Sequence, residues 1–378
     1  MRTQRICVWK VDGRLMKILH VAESIRGGCG TYLNQIIPQQ IEDLGAENIR
    51  LIVPDAHKAH VPDIPAELVS VFARPKRSVA SLLSLGQEIL KQVELFQPDV
   101  IHAHSTFAGA VTRLLLGWRK RRPGLIYCPH GWVFDVRSSG WKQRVMEKAE
   151  LTMSGLCDTI VAISEYEARQ GRRIGIKNER IRVVLNGLRL MAPVAAPATW
   201  DDKRLKILFV GRLDEQKGFD VLMEAIAPLQ ETVAVRVIGE AVLDGGMHLE
   251  KRPNVEFLGW QDESRIQGQF AVADVVVMPS RWEGFGLVAI EAMRAGKAVI
   301  ASRVGGLPEV VADGETGFLV PSEDAPALRA ALLKAEPSML TRMGARGRDI
   351  FEQKFTIERT HMGLIALYRE VAGSRLSH

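Results

Sequence analysis

The chain has 378 residues, about two and a half times the ~150 that set the single-domain prior, so two domains are expected. Its 47% hydrophobic and 25% charged residues are those of a globular protein and exclude a disordered chain, a collagen-like repeat or a disulfide-stapled scaffold. The net charge of +6 is unevenly placed: residues 1–200 carry 28 basic and 18 acidic side chains, residues 201–378 carry 22 and 26, so an anionic partner is sought for the first half.

In chain order, residues 1–15 show no periodicity and Met16-Lys17-Ile18-Leu19 reads like a second start, so a tail outside the fold is expected over 1–15. Lys10, Asp12, Arg14 and Lys17 interrupt the apolar core that a secretion signal would need. A strand is predicted over Ile18–Ala22, then a glycine-rich turn and a helical period from Thr31. β-rich runs follow at Ile49–Val53, Val100–Ala103, Leu125–Cys128, Thr159–Ile163 and Ile181–Leu185, separated by helical stretches such as Val79–Phe96 and Thr106–Trp118. This alternation predicts a doubly wound parallel-sheet α/β domain over 16–189. Residues 190–204 open with a Pro/Ala-rich run without period, which reads as a linker. The alternation restarts with Lys206–Val210, Val233–Ile238, Val255–Leu258, Val275–Met278, Ala298–Ala301 and Phe318–Val320, a second α/β domain over 205–355. Ligands of such sheets bind beyond the carboxyl ends of the strands, so two facing units would hold a site in the cleft between them. The last helix, about 356–378, is expected to pack back on the first domain. No apolar run reaches the ~18 residues of a membrane-spanning helix.

Cys7, Cys29, Cys128 and Cys157 stand far apart with no Cys-x-x-Cys pair, which fits separate reduced thiols in a cytoplasmic protein. No zinc-finger, RNP-type or basic-zipper pattern is present, so nucleic acid is not an expected partner.

Three turns that follow strands bear chemistry. Gly27-Gly28-Cys29-Gly30-Thr31 opens a helix where bare amides could approach an anion, although Leu33 stands where a dinucleotide fingerprint needs its third glycine. Arg212 and Lys217 lie five apart in Gly211-Arg212-Leu213-Asp214-Glu215-Gln216-Lys217-Gly218, so a fork of donors and a point charge can converge on one diphosphate. In the segment Pro279 to Ala292, Gly284 and Gly286 bare the backbone at another helix start, and Glu283 and Glu291 can accept hydrogen bonds from sugar hydroxyls. No Asp-x-Asp pair exists to clamp a metal on a diphosphate. His102 and His104 share a strand face, but no third ligand stands at metal spacing, so no metal and no other cofactor is expected.

On these motifs the chain resembles the retaining glycosyltransferases of the GT-B fold, glycosyltransferase family 4, from Lys17 to the C-terminal helix. Gly27-Gly28, His102-Ala103-His104, His130-Gly131, Ser164-Glu165 and Asn186-Gly187 match it in order; Leu188-Arg189 departs from the apolar-Asp that often follows. The resemblance implies two Rossmann-like domains, the first on the acceptor side and the second binding a nucleotide sugar. Arg212 and Lys217 would hold the donor diphosphate and Glu291 the ribose hydroxyls. Glu283 and the amides of Gly284, Phe285 and Gly286 would hold the transferred sugar, and Leu287 would give an amide to phosphate. His130 would lie at the sugar's reacting face, and Gly28 would approach the diphosphate from the other domain. The implied reaction is metal-independent, retaining transfer from a UDP- or GDP-sugar to a saccharide or lipid-linked acceptor, in bacterial surface or extracellular polysaccharide synthesis. Base selection would fall to the loops Ile238–Gly245 and Gly259–Glu263. Rival readings are a nucleotide-sugar epimerase of the same fold and a non-catalytic nucleotide-sugar-binding partner.

The helical stretch Arg137–Met153 carries Arg137, Lys142, Arg144 and Lys148 beside Trp141 and Val145, which suits peripheral contact with an anionic membrane face. The denser block Arg119-Lys120-Arg121-Arg122 precedes a strand and reads as a solvated loop.

Overall fold

The computed structural model describes the chain except residues 1–9, 12, 26, 138, 194, 241–251 and 377–378. It divides into two compact units, one of Met1–Gly187 with Ile357–His378 and the other of Leu188–Thr356.

The first unit opens with an antiparallel pair, β1 (Lys10–Val11) and β2 (Arg14–Leu15). Its main sheet is parallel: β3 (Ile18–Ala22), β4 (Ile49–Pro54), β5 (Val69–Phe72), β6 (Val100–His104), β7 (Gly124–Cys128), β8 (Thr159–Ala162) and β9 (Ile181–Val183) lie in the order β5-β4-β3-β6-β7-β8-β9. β3, β6, β7 and β8 are buried along their whole length, as strands covered on both faces require. Their connections are α1 (Gly28–Leu44), α2 (Val79–Phe96), α3 (Thr106–Leu116), α4 (Gly140–Ser154) and α5 (Glu165–Arg173). The C-terminal helix, Ile357–Leu376, packs on α1 and β7, with Tyr368 buried and His361 Nε2 2.8 Å from Asp43 Oδ2.

Three features depart from the sequence reading. Arg14 donates two hydrogen bonds to the Asp99 carboxylate, at 2.7 and 2.5 Å, so this part of the expected tail is tied to the edge of β6; residues 1–9 lie outside the described residues. The short strand β5, with Val71 exposed, was not anticipated: four residues give too little alternation. Arg122 is not solvated, because its guanidinium binds both oxygens of Asp158 at 2.6 and 3.1 Å and its side chain is 4% exposed. Burial alone would raise the Asp158 carboxyl, but hydrogen bonds from Arg122, Arg375 and the Leu125 amide hold it below the usual range.

The second unit is a six-stranded parallel sheet of β10 (Leu205–Val210), β11 (Val233–Ile238), β12 (Val255–Gly259), β13 (Val275–Met278), β14 (Ala298–Ser302) and β15 (Gly317–Val320), in the order β12-β11-β10-β13-β14-β15. Its helices are α6 (Phe219–Ile226), α7 (Glu263–Val272), α8 (Leu287–Arg294), α9 (Leu307–Val310), α10 (Ala325–Lys334) and α11 (Pro337–Lys354). Within 190–204, the Thr199 carbonyl accepts from Arg236 at 2.8 Å and the Trp200 ring lies 4.5 Å from its guanidinium, so this stretch packs on the second unit. In each unit the strand order reverses beside one strand, β3 in the first and β10 in the second. Such switch points open a crevice beyond the carboxyl ends of the strands, and the turns that follow β10 and β13 meet there.

Candidate functional site

The turn after β10 is built around Asp214, whose carboxylate accepts the Lys217 amide at 3.1 Å and caps a single 3-10 turn. Gly218 follows at φ +63, and a Cβ there would strike the Pro279 carbonyl, so only glycine lets this turn lie against the one after β13. The Arg281 amide donates to the Gln216 carbonyl at 2.8 Å and locks the two turns together. Lys217 Nζ reaches across to Glu283 Oε2 at 2.5 Å, with both side chains largely buried. Arg212 is exposed; its Nη2 donates to Gln216 Oε1 at 2.7 Å and lies 3.1 Å from Asp214 Oδ2. Each cation therefore has a carboxylate partner, which an incoming anion would have to share.

The loop from Glu283 to Gly286 rests on the turn at 303–306. The Gly306 amide donates to the Glu283 carbonyl at 3.1 Å, and a Cβ on Gly305 or Gly306 would run into the carbonyl of Glu283 or Gly284. Gly286, at φ +102, caps α8 with no side chain, so the first amides of the helix, at Leu287 and Val288, have no acceptor within it. Phe285 is buried edge-on against Phe355, which leaves its amide rather than its ring for a ligand. Glu291 lies on the same helix, half-buried. Burial pushes its carboxyl up to about 7; Arg294 and Lys217 pull the other way, and Glu263 adds to the rise. The structure thus gathers Arg212, Lys217, Glu283, Gly284, Phe285, Gly286, Leu287 and Glu291 into the second unit.

Gly28 and His130 belong to the first unit. α1 begins at Gly28, three residues before the expected start, because Gly27 takes φ +79 and Gly30 sits where a Cβ would strike the Ile25 carbonyl. His130 follows β7 at φ +53, and Gly131 at φ +102 completes a strained turn. Glu167 anchors that turn: its two oxygens accept the amides of Gly131 and Ile163 at 2.6 and 2.7 Å, and Trp132 Nε1 donates to its carbonyl. Burial raises the Glu167 carboxyl to about 8 against those two hydrogen bonds.

His130 also ends a row of imidazoles. Parallel pairing of β3 with β6 sets His20 opposite His102 and Ala22 opposite His104. His20 Nδ1 is 2.9 Å from His104 Nε2, and His104 Nδ1 is 2.9 Å from His130 Nε2. The third histidine, which spacing around His102 and His104 could not supply, comes from β3. His20, Gln40 and Glu167 escaped sequence reasoning because only strand register and helix packing bring the first two into the row that ends at His130 and the third to the turn that carries it; none sits in a spaced motif. Arg294 and Glu263, 3.6 Å apart beside Arg189, escaped for the same reason.

Comparison with known proteins accords with this geometry. Residues 27–190 match the family model for Glycosyltransferase Family 4, and residues 204–335 that for Glycosyl transferases group 1. An uncharacterised 41.2 kDa protein from the cps region of Klebsiella pneumoniae is 35% identical over 321 residues, covering 82% of this chain and 87% of its own. An uncharacterised glycosyltransferase of Methanocaldococcus jannaschii is 30% identical, covering 76% and 79%. A D-inositol 3-phosphate glycosyltransferase of Gordonia bronchialis is also 30% identical, covering 81% and 71%. Among solved structures, Anabaena HepE in complex with UDP-glucose superposes with a TM-score of 0.75 at 21% identity, covering 96% of this chain and all of that one. Sucrose-phosphate synthase from Thermosynechococcus elongatus gives 0.75 at 22%, covering 95% and 100%. At that identity the likeness shows the fold, two Rossmann-like parallel-sheet domains of the GT-B type.

Proposed function

Because the chain belongs to the glycosyltransferases of family 4 and group 1, we propose that it moves a sugar, with retention of anomeric configuration, from a nucleoside-diphosphate sugar to a saccharide or lipid-linked acceptor. The observation that carries this reading is the pairing of Lys217 with Glu283 at 2.5 Å, where the turns after β10 and β13 meet. A cation that answers phosphate and a carboxylate that answers sugar hydroxyls stand in contact there, beside the open amides of α8. Lys217, Arg212 and the Leu287 amide take up the charge of the leaving diphosphate without a divalent ion, a preorganised form of transition-state stabilisation. Glu291 holds the ribose hydroxyls. Glu283 and the amides from Gly284 to Gly286 hold the sugar.

The bond from the anomeric carbon to the phosphate oxygen breaks as the acceptor oxygen attacks from the same face, and the acceptor's proton passes to that phosphate oxygen. Glu283 orients the sugar and forms no covalent bond. His130 serves the reacting face of the sugar and Gly28 the diphosphate.

HepE of Anabaena was solved with UDP and glucose, which favours a uridine donor over a guanosine one. Base selection would rest on the loops at 238–245 and 259–263; of the first, residues 241–245 lie outside the described residues. The cps-region relative supports a place in surface polysaccharide synthesis. No described helix is long and apolar enough to cross a membrane. α4, however, exposes Trp141 and Val145 beside Lys142, Arg144 and Lys148, which suits a peripheral seat on an anionic leaflet at the cytoplasmic face. The test is a thermal-shift screen of nucleotides and nucleotide sugars, followed by NMR of the product formed with the best donor. A stabilising nucleotide sugar and a product of unchanged anomeric configuration are expected. An inverted product, or donor isomerised without acceptor, would replace this reading, the latter with an epimerase.

A further inference from the structure

The row of imidazoles has a direction. Gln40 Oε1 lies 2.7 Å from His20 Nε2, and the two 2.9 Å contacts already described carry the row through His104 to His130. A carboxamide oxygen only accepts, so His20 must carry its proton on Nε2, and a neutral imidazole has one proton to give. His20 Nδ1 then accepts, which requires His104 to donate from Nε2 and to accept at Nδ1. That in turn requires His130 to donate from Nε2. We propose that Gln40, His20 and His104 are positioning residues that fix His130 in its Nε2–H tautomer and leave Nδ1 as a lone-pair acceptor for a substrate hydroxyl. The tautomer follows from the geometry alone; its use rests on the role proposed above for His130 at the sugar's reacting face.

The surroundings keep the row neutral and still. Burial lowers His20 and His130 to about 4, and lowers His104 well below the usual imidazole value with further repulsion from His102, His130 and His20. His20, Gln40 and His104 have no solvent exposure, so none of them exchanges its partner with bulk water. Tyr32 meets the His130 ring edge-on at 4.8 Å, and the Glu167 anchor fixes the backbone on its other side.

A metal ion would use the same atoms differently. Nitrogens of His20, His102 and His104 lie within 4.8 Å of one another, and His102 Nε2 has no hydrogen-bond partner among the described residues. Two tetrahedral zinc ligands at 2.0–2.1 Å would stand roughly 3.3 Å apart, whereas His20 and His104 are at hydrogen-bond distance. His102 is instead held by the Tyr368 hydroxyl at 2.6 Å and supplies no link between Gln40 and His130, and so provides a control for a neighbouring imidazole that is removed without breaking the row.

The experiment is long-range 1H–15N NMR of histidine-labelled protein near pH 7, with single histidine substitutions for assignment. It is run on the wild type, Gln40→Met and His102→Gln, alongside turnover of the nucleotide sugar selected by thermal shift. The expected result is Nε2–H at His20, His104 and His130 in the wild type and in His102→Gln. In Gln40→Met, His130 should divide between tautomers and kcat should fall in proportion to the Nε2–H fraction that remains, about twofold for an even division, with donor KM unchanged. Nδ1–H at His130 in the wild type, a His130 tautomer or kcat untouched by Gln40→Met, or a cobalt titration giving a tetrahedral spectrum would each overturn the proposal. A wild type that turns over no nucleotide sugar would defeat the transferase reading, while the NMR result would still decide whether the row exists.

Discussion

Glu283→Gln separates a carboxylate that orients a sugar from one that attacks it. The substitution keeps an oxygen acceptor in place but removes the negative charge 2.5 Å from Lys217 Nζ. Hydrogen bonds to charged groups contribute about 1.5–3 kcal/mol and those between neutral groups about 0.5–1.5, so the difference of about 1–1.5 kcal/mol should lower kcat by roughly 5- to 13-fold. Nucleoside diphosphate binding should move the opposite way. In the free protein Lys217 is neutralised by Glu283, and in the variant its whole charge is available to phosphate, so affinity for UDP should hold or rise. The assay is release of nucleoside diphosphate from the nucleotide sugar found by thermal shift, with calorimetry of UDP binding and mass spectrometry of the intact protein during turnover. A glycosyl adduct on Glu283 in the wild type, or a complete loss of turnover in the variant, would refute the orienting role.

Glu291 offers a pH test: its folded value of about 7 lies above the ordinary 4.5, so the cost of ionising it is absent below about pH 4.5, grows through 7 and is then constant. Glu291→Gln should therefore melt above the wild type at pH 8, and the gap should close by pH 4.5. Nucleotide affinity in the wild type should rise through pH 7 as the carboxylate forms, more steeply than in Glu291→Gln, where only the nucleotide's own terminal phosphate, ionising near about pH 6, gives a slope in parallel calorimetry. Gly305→Ala forces a side chain into a left-handed turn at φ +57 and onto the Glu283 carbonyl. The backbone alone costs about 1–2 kcal/mol, so a lower melting temperature and weaker donor binding are expected. On α4, changing Lys142, Arg144 and Lys148 to Glu should abolish co-sedimentation with anionic liposomes, since each cation near such a surface contributes about 1 kcal/mol. Co-sedimentation independent of anionic lipid would remove the membrane reading.

The strands were legible because a parallel sheet buries them whole, so runs such as Val275–Met278 stand out as unbroken apolar stretches. β5 did not stand out, being an edge strand of four residues that meets solvent. The turns after β10 and β13 were legible for a different reason: glycines, cations and carboxylates cluster there within a few residues. What the sequence hid was pairing across the fold. Nothing in the order of residues says that Lys217 and Arg212 are already held by Glu283 and Asp214, or that Arg122 is sunk against Asp158. His20 likewise reads as one polar residue in an apolar strand until strand register sets it beside His102.

The central claim is that side-chain cations and helix amides, with no divalent ion, receive the diphosphate. Calorimetric titration of UDP and GDP in EDTA, into the wild type and into Arg212→Ala/Lys217→Ala, tests it most directly. Binding by the wild type and a loss of about 100-fold or more in the double variant are expected, from two charged contacts of about 1.5–3 kcal/mol each. Equal affinity in the two proteins, or wild-type binding that appears only when magnesium or manganese is restored, would contradict it.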